Sequence, residues 1–232
     1  MTLMQARDRL IVAVDLSDRD AILSLVGELR GIAGVFKIGL QAFVANGPSI
    51  VRDIVEGGER VFLDLKIHDI PNTARRAVAE AVGLGVSMVT VHTSGGAPML
   101  RACADAQGAA LVLGVTILTS LDDGELASIG FGGTAIENAV RLAGLARDAG
   151  LRGIVASPHE IAAIRELCGS DLTIVTPGIR PAGELAGDQR RTTTPAEAIR
   201  AGADYIVIGR PIVAAEKPRE AALRVLDEIS RV

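Results

Sequence analysis

Short apolar runs rich in β-branched residues recur along the whole chain and alternate with amphipathic segments. Each run is nearly continuous in hydrophobic residues, which is the pattern of parallel strands buried on both faces. Eight runs predict strands over Leu10–Val14, Val35–Ile38, Val61–Leu65, Val86–Val91, Ala110–Ile117, Gly153–Ala156, Leu172–Val175 and Tyr205–Ile208. Helical periodicity lies between them and is clearest over Arg19–Arg30, Ala74–Val82, Ala135–Ala149 and Arg219–Ile229.

This alternation predicts an α/β fold, a (β/α)8 barrel of the TIM type, formed as a single domain over residues 1–232. The 232 residues give each of eight units about 29 residues, which is compact but sufficient. No linker or low-complexity segment divides the chain. A doubly wound open sheet is the alternative, but the chain has no G-x-G-x-x-G after the first predicted strand and no P-loop.

Glycines stand at the predicted helix ends that precede several strands. They are Gly34, Gly58, Gly85, Gly150 and Gly202. A glycine just past a helix commonly adopts the left-handed conformation that ends it. We therefore expect all five to be left-handed helix caps.

The composition narrows the classes of function. Hydrophobic residues make up 49% of the chain and charged residues 22%, so the chain can bury a large core and is not disordered as a whole. Aromatic residues make up only 2%, and the formal net charge is -4. Few rings are available to stack on bases, and no basic field attracts phosphate backbones or membrane surfaces. We predict no nucleic-acid partner and no membrane partner.

Three features favour a cytoplasmic location. Cys103 and Cys168 lie far apart outside any C-x-x-C pair, so we expect two buried, reduced thiols. The apolar run Leu10–Val14 is too short for the core of a signal peptide. The uncharged stretch Ala81–Leu100 contains four glycines and a proline. We therefore interpret it as a helix end, a buried strand and a loop, and not as a membrane span.

Charged residues cluster where the first three predicted strands end. They are Asp15, Lys37, Asp64, Lys66 and Asp69. Active sites of such barrels lie at the carboxyl ends of the strands. Asp64 and Lys66 are two residues apart, so both should point to one face of an extended segment. Independent salt bridges at the rim are the alternative, but five charges of alternating sign in an apolar framework favour a site.

The loops after the seventh and eighth strands predict a phosphate site. Each contains a glycine followed by an arginine, Gly178 with Arg180 and Gly209 with Arg210. A glycine lets backbone N–H groups approach an anion, and an arginine can bind it with two hydrogen bonds. The N–H of Gly209 would also lie near a helix start, which favours anions. Surface turns with solvated arginines are the alternative.

The loop from Gly178 to about Thr193 is longer than most and contains Gln189, Arg190 and Arg191. Long loops in compact domains tend to be lids or binding loops, so we expect this one to close over a bound phosphate.

Several polar residues give weaker signals. Thr119 and Ser120 end the predicted fifth strand and can hydrogen-bond a polar ligand, although both types also cap helices. His92 ends the fourth strand, and a structural role is at least as well supported as a place in the site. His68 and His159 have no metal-ligand spacing with each other or with a cysteine, so we predict no bound metal.

The segment from Asp64 to Thr73 reads DLKIHDIPNT and matches the pattern D-x-K-x-x-D-I-P-N-T. The chain therefore resembles the orotidine 5'-phosphate decarboxylase family, in its bacterial branch. The I-P-N-T extension is the more specific part, because related sugar-phosphate barrels share D-x-K-x-x-D. The resemblance spans nearly the whole chain, through VAVD ending at Asp15, FKIG around Lys37, VHTSGG from Val91, VTILTS ending at Ser120, TPGIRP from Thr176, Asp188-Gln189 and IGRPI from Ile208.

The resemblance implies conversion of orotidine 5'-monophosphate to UMP and carbon dioxide, without a metal or an organic cofactor. It implies that Lys66 donates a proton to C6 of the pyrimidine and that Asp64 lies against the substrate carboxylate. Asp64 and Asp69 would keep the Lys66 ammonium charged. Lys37 and Asp15 would bind the ribose hydroxyls and would hold the series of alternating charged side chains in place.

The resemblance also implies a homodimer with active sites shared across the interface. Asp69 and Thr73 would reach the ribose of the ligand bound by the neighbouring subunit. Thr119 would contact the pyrimidine, a role that Ser120 could share or take. The phosphate would be bound by Arg180, Gln189, Gly209 and Arg210.

Two other functions remain open at this point. One is a sugar-phosphate decarboxylase with the same D-x-K-x-x-D stem, which is expected to need a divalent metal. The other is a nucleotide sensor without catalysis, which could dispense with Lys66. Activity after treatment with a chelator would argue against the first, and turnover would argue against the second.

Overall fold

The structure is a computed structural model, and it describes residues 1–181 and 193–232. Eight parallel strands form a closed barrel in the order of the chain, with the first strand paired to the eighth. This confirms the predicted (β/α)8 barrel. The strands are β1 (Leu10–Ala13), β2 (Val35–Gly39), β3 (Val61–Ile67), β4 (Met88–His92), β5 (Leu111–Val115), β6 (Gly153–Val155), β7 (Thr173–Thr176) and β8 (Tyr205–Ile208).

Helices surround the barrel and connect its strands. In the described residues they are α1 (Leu3–Arg9), α2 (Arg19–Glu28), α3 (Leu40–Asn46), α4 (Ser49–Glu56), α5 (Pro71–Gly83), α6 (Gly96–Asp105), α7 (Asp123–Ser128), α8 (Ala135–Asp148), α9 (Ile161–Cys168), α10 (Pro195–Ala201), α11 (Arg210–Val213) and α12 (Pro218–Ser230). Short 3₁₀ helices cover Thr93–Gly95 and Pro158–Glu160. The four predicted helices correspond to α2, α5, α8 and α12.

The core has two layers, which explains why the strands are apolar on both faces. A large cluster of aliphatic side chains fills the space between the barrel and its helices. A smaller cluster fills the barrel interior, with Phe62 and Met88 as its largest members. The interior cluster also contains Ile11, Ala13, Val35, Leu113, Val175 and Val207. Inward and outward side chains are therefore both hydrophobic, as in other buried parallel sheets.

Helix α1 was not predicted, and it corrects the expectation for Gly34. Gly58, Gly85, Gly150 and Gly202 have positive φ, but Gly34 does not. A Cβ at Gly34 would lie 2.4 Å from the carbonyl oxygen of Arg7 and 2.9 Å from Cα of Asp8. The chain needs a glycine at position 34 because the backbone of α1 passes directly over it, and not because a helix ends there.

Two other sequence expectations agree with the structure. The uncharged stretch from Ala81 to Leu100 contains the end of α5, strand β4 and the start of α6. Cys103 and Cys168 are buried, free cysteines. Across residues 1–181 and 193–232, each helix is too short or too polar to cross a lipid bilayer.

Candidate active site

A pocket of about 290 Å³ opens at the carboxyl ends of the strands. Its floor consists of inward-facing residues of the barrel core, including Ala13, Phe62 and Val207. Its volume lies at the lower end of the range for small-molecule sites. The other described residues that line it are Asp15, Lys37, Asp64, Lys66, Val115, Ile117, Leu118, Thr119, Val155, Ala156, Pro177, Gly178, Arg180, Gly209 and Arg210.

Four of the predicted residues form one chain of alternating charges across the pocket. The Lys37 ammonium lies 3.1 Å from Oδ1 of Asp15 and 3.6 Å from Oδ2 of Asp64. The Lys66 ammonium donates to both oxygens of Asp64, at 3.0 and 2.9 Å. Two carboxylates and two ammonium groups therefore neutralise one another, which offsets the cost of burying them.

Asp64 is at the centre of this network and is mostly buried, with 13% of its side chain exposed. Burial raises the pKa of its carboxyl, but the charges of Lys37 and Lys66 and hydrogen bonds from Lys66 and Thr90 lower it by more. The pKa of Asp64 therefore lies below its ordinary value, and the carboxylate remains ionised at neutral pH.

Lys66 enters the pocket from a distorted strand. The sequence predicted that Asp64 and Lys66 share a face because they alternate along a regular strand. Both do line the pocket, but Lys66 has a φ of 52° and is the only non-glycine residue with positive φ in residues 1–181 and 193–232. The register between β3 and β4 shifts between Leu63 and Ile67. A local bulge, and not simple alternation, thus sets the direction of Lys66.

Thr90 supports this bulge, and the sequence analysis missed it. Its Oγ1 accepts a hydrogen bond from the backbone N–H of Lys66 at 2.8 Å and donates one to Oδ1 of Asp64 at 3.0 Å. Thr90 lies inside the apolar run of β4 and is 0% exposed. A hydroxyl in an otherwise hydrophobic strand was the available signal, but its partners on β3 depend on a register that the sequence does not reveal.

Asp69 and Thr73 do not line the pocket of their own chain. Both are exposed, and Asp69 accepts a hydrogen bond from the backbone N–H of Ile70 at 2.6 Å. Thr73 lies in the first turn of α5. Among the described residues, the ion pair of Lys66 is with Asp64 and not with Asp69. The predicted roles of Asp69 and Thr73 at a neighbour's ligand therefore stay predictions.

Three of the four predicted phosphate-binding residues lie on one side of the pocket. Arg180, Gly209 and Arg210 all line it, after β7 and β8. Gly178, which also lines it, has a φ of 77°. Gln189 and its neighbours Arg190 and Arg191 lie outside the described residues, as does most of the long loop in which they occur.

The segment after β5 forms an apolar wall with one polar residue. Strand β5 ends at Val115, so Thr119 lies beyond the strand and not at its end as predicted. Thr119 lines the pocket beside Ile117 and Leu118, whereas Ser120 is exposed and is absent from the lining. Ile117 and Leu118 were not predicted, because aliphatic residues after a strand carry no specific signal.

None of the three histidines lines the pocket. The rings of His68 and His92 lie 5.6 Å apart, and His159 is exposed. Burial lowers the pKa of His92, as do the nearby charges of His68 and Lys66, against a smaller opposing effect of Asp64. In the part of the chain that the structure describes, no three His, Cys, Asp or Glu side chains are grouped so that they could hold a metal ion.

Known proteins share both the sequence and the fold. A family model described as the orotidine 5'-phosphate decarboxylase / HUMPS family matches residues 8–225. A protein named orotidine 5'-phosphate decarboxylase from Moorella thermoacetica is 52% identical, and the alignment covers 100% of this chain and 96% of that protein. Its namesake from Geobacter sulfurreducens is 49% identical, with 99% of each chain covered.

Two solved structures have a similar fold. The orotidine 5'-phosphate decarboxylase of Lactobacillus acidophilus has a TM-score of 0.85 at 33% identity, over 95% of this chain and 98% of that one. An uncharacterized conserved protein from Geobacillus kaustophilus has a TM-score of 0.81 at 33% identity, over 95% and 99% of the two chains. The family match spans the strands that carry the charged network and both arginine loops, and the chain belongs to the orotidine 5'-phosphate decarboxylase / HUMPS family.

Proposed function

We propose that the chain is an enzyme that decarboxylates orotidine 5'-monophosphate to UMP and carbon dioxide. The observation that carries this proposal is the alternating network of Asp15, Lys37, Asp64 and Lys66 in a pocket that also contains Arg180 and Arg210. On one side of the pocket, the ammonium of Lys66 and the carboxylate of Asp64 would lie next to the reacting carbon. Another side offers two guanidinium groups to a phosphate.

Lys66 supplies the proton of the reaction. When the bond between C6 and the carboxylate breaks, its electron pair stays on C6 as an sp² carbanion and carbon dioxide leaves. The Lys66 ammonium stabilises that charge and transfers a proton to C6, which yields UMP and a neutral amine. The amine then regains a proton from solvent. Side chains thus supply the whole reaction, and we propose that it needs neither a metal nor an organic cofactor.

Asp64 has two tasks in this mechanism. Its carboxylate holds the Lys66 ammonium through both oxygens, at 3.0 and 2.9 Å. It also lies where the substrate carboxylate must approach, and repulsion between the two anions raises the energy of the bound substrate. This repulsion disappears as neutral carbon dioxide forms, so it favours the transition state over the ground state.

The remaining residues bind the parts of the substrate that do not react. Lys37 and Asp15 reach the ribose hydroxyls, and Thr119 contacts the edge of the pyrimidine within its apolar wall. Arg180 and Arg210 bind the phosphate by charge-assisted hydrogen bonds. Gly209 has no side chain to block the approach of the phosphate to the backbone. Gln189, from the loop outside the described residues, completes the set.

We also propose that the enzyme is a homodimer with shared sites. Asp69 and Thr73 are exposed at the rim of the barrel, where they are available to a second copy. The exposed apolar side chains Leu40, Val44 and Ile70 occur on the same edge, after β2 and β3, and Val44 is 79% exposed. A second copy of the chain placed against this edge would cover these apolar side chains. Asp69 of the first copy would then lie towards the pocket of the second copy.

The test is the loss of absorbance of orotidine 5'-monophosphate after addition of purified, chelator-treated protein. We expect full turnover, with UMP as the product. Turnover that disappears with the chelator and returns with a divalent metal would contradict the cofactor-free mechanism and would favour the metal-dependent chemistry expected of the sugar-phosphate decarboxylases. Binding of UMP without any turnover would indicate a nucleotide sensor, and either result would refute the proposal.

A further inference from the structure

The structure assigns a role to Thr90 that rests on the proposed function. We propose that Thr90 is a positioning residue, whose hydroxyl fixes the backbone of Lys66 and the carboxylate of Asp64 in the one arrangement that transfers a proton to C6. Thr90 lies on β4, is 0% exposed and does not line the pocket. It therefore acts through its two partners and not by touching the substrate.

The two hydrogen bonds of Thr90 are made by one hydroxyl group. Its Oγ1 accepts from the N–H of Lys66 at 2.8 Å, so its single proton is free to go to Oδ1 of Asp64, 3.0 Å away. One hydroxyl thus connects the main chain of the proton donor to the carboxylate that holds its ammonium. The ammonium closes the ring by donating back to both oxygens of Asp64. Side chain and main chain of Lys66 are fixed together.

The backbone of Lys66 needs this support. A φ of 52° is uncommon for a residue with a Cβ, and it costs energy that the surroundings must supply. Leu63 pairs with Val89 and Ile67 with Val91, so the bulge takes Lys66 out of the regular ladder between β3 and β4. The Thr90 hydroxyl replaces the missing ladder carbonyl as the acceptor for the Lys66 N–H.

Thr90 is also rigid, which suits a positioning role. A β-branched side chain on a strand has few χ1 rotamers, and this one is packed inside the protein. Proton transfer is sensitive to displacements of the donor by about 1 Å. Loss of the hydroxyl would leave the N–H of Lys66 without this acceptor and would let the Asp64 carboxylate rotate about its remaining contacts.

The experiment separates the hydroxyl of Thr90 from its shape. Thr90→Val keeps the branched shape and removes the hydroxyl, whereas Thr90→Ser keeps the hydroxyl and removes a methyl group. We expect kcat to fall roughly ten- to a hundredfold in Thr90→Val, the loss typical of a hydrogen bond to a charged group. KM and the Kd of UMP should change by no more than about twofold, because phosphate and ribose contacts remain. Thr90→Ser should keep a kcat within about twofold of the wild type.

A matched control shows whether any buried threonine would do the same. Thr93 is also 0% exposed, and its Oγ1 donates to the carbonyl oxygen of Val115 at 2.7 Å. Thr93→Val removes a buried hydroxyl without touching Lys66 or Asp64. We expect Thr93→Val to lower Tm while its kcat stays within about twofold of the wild type.

The pH profile gives a second readout. The hydrogen bond from Thr90 helps to lower the pKa of Asp64. The acid limb of kcat should therefore move to higher pH in Thr90→Val and stay in place in Thr90→Ser and Thr93→Val. A merely structural role would leave this limb unchanged in all three variants.

Clear results would overturn the inference. A kcat in Thr90→Val within about twofold of the wild type would refute the positioning role. Losses of kcat that are proportional to the losses of Tm across all three variants would refute it as well. If the wild type does not decarboxylate orotidine 5'-monophosphate, the proposed function fails separately. Crystal structures then decide the role of Thr90, because Lys66 should leave the left-handed conformation in Thr90→Val and keep it in Thr90→Ser. An unchanged Lys66 in Thr90→Val would refute the inference.

Discussion

At the scale of single residues, Lys66 is constrained from two directions. Its ammonium is paired with Asp64, and its backbone N–H donates to Thr90, while its φ of 52° departs from the rest of β3. Unfavourable backbone geometry tends to occur at functional sites, where the surrounding structure enforces it. The arrangement around Lys66 thus exists without a ligand, and the proposed reaction would need little reorganisation at the moment of proton transfer.

Arg210 should contribute to binding more than to chemistry. Under the proposed function, Arg210→Ala removes a charge-assisted contact to the phosphate that exists in the substrate and the transition state alike. Such a contact is worth about 1.5–3 kcal/mol, so KM should rise roughly ten- to a hundredfold, with a smaller loss of kcat. Steady-state kinetics on orotidine 5'-monophosphate measures both parameters.

Free guanidinium provides the control for Arg210. Because the missing group is a separable cation, added guanidinium should partly restore Arg210→Ala. It should not restore Lys66→Ala, which lacks the proposed proton donor. A large loss of kcat in Arg210→Ala with an unchanged KM would contradict a binding role.

His92 should make stability depend on pH. Burial lowers its pKa below the ordinary value of 6.5, with help from the charges of His68 and Lys66 and against Asp64. The unfolded chain then binds more protons than the folded one below pH 6.5, so the stability from neutral His92 is lost as pH falls towards the folded pKa. In urea unfolding from pH 7 to pH 5, His92→Gln should lose less stability than the wild type. An equal or larger loss in His92→Gln would show that His92 is not responsible.

Residues of the candidate site could be predicted from the sequence where their residue type and their position at a strand end were enough to distinguish them. Asp15, Lys37, Asp64 and Lys66 were identified because charges at strand ends of an apolar barrel stand out. The bulge at Lys66 could not be predicted, since it depends on the register between β3 and β4. Thr90 was missed for the same reason, because nothing local connects it to residues 24 and 26 positions earlier.

At the scale of elements, periodicity identified the strands better than the shortest helices. All eight strands were predicted, because a strand buried on both faces is a continuous apolar run. Helix α1 was missed because Ala6 is its only buried residue, which leaves no amphipathic pattern to detect. Its position against the barrel results from tertiary contacts, including the close approach of Arg7 to Gly34.

A pair of glycine substitutions tests this contact between α1 and the barrel. A Cβ at Gly34 would meet backbone atoms of Arg7 and Asp8 that cannot rotate away. Gly34→Ala should therefore lower the free energy of unfolding by about 1–3 kcal/mol in urea denaturation. Gly27 lies in α2 with nothing within 4 Å of its would-be Cβ. Gly27→Ala should raise the free energy of unfolding by about 0.5–1 kcal/mol.

The opposite signs of the two glycine effects are the decisive feature. A stability of Gly34→Ala equal to that of the wild type would mean that α1 does not pack against the chain at Gly34. A loss of stability in Gly27→Ala would mean that glycine is needed there for a reason other than space.

At the scale of the whole molecule, closure of the barrel brings distant segments together. Strand β1 pairs with β8, so Asp15 and Arg210 line one pocket although they are far apart in the sequence. The fold class and this convergence could be predicted from eight repeated strand–helix units. Gln189 lies outside the described residues, so its place at the phosphate stays a prediction, as does the single domain over residues 1–232.

Subunit hybrids test the shared site. If Asp69 acts in the neighbour's pocket, Asp69→Ala and Lys37→Ala subunits should each form inactive homodimers. A hybrid of the two has one site with both residues intact. After random exchange, hybrids make up half of the dimers, so activity should return to about a quarter of the wild-type value.

The hybrid experiment needs proof of exchange. Two affinity tags, one on each variant, allow the mixed dimer to be isolated and assayed alone. An isolated hybrid without activity would show that Asp69 and Lys37 serve the same pocket of one chain.

The most direct measurement compares Lys66→Ala with the wild type in turnover and in UMP binding. Lys66 is proposed to protonate C6, and its main interaction develops only as the carbanion forms. Turnover of orotidine 5'-monophosphate should therefore nearly vanish in Lys66→Ala, while titration shows UMP binding largely intact. A near-normal kcat in Lys66→Ala would contradict the proposed mechanism, whatever family the chain belongs to.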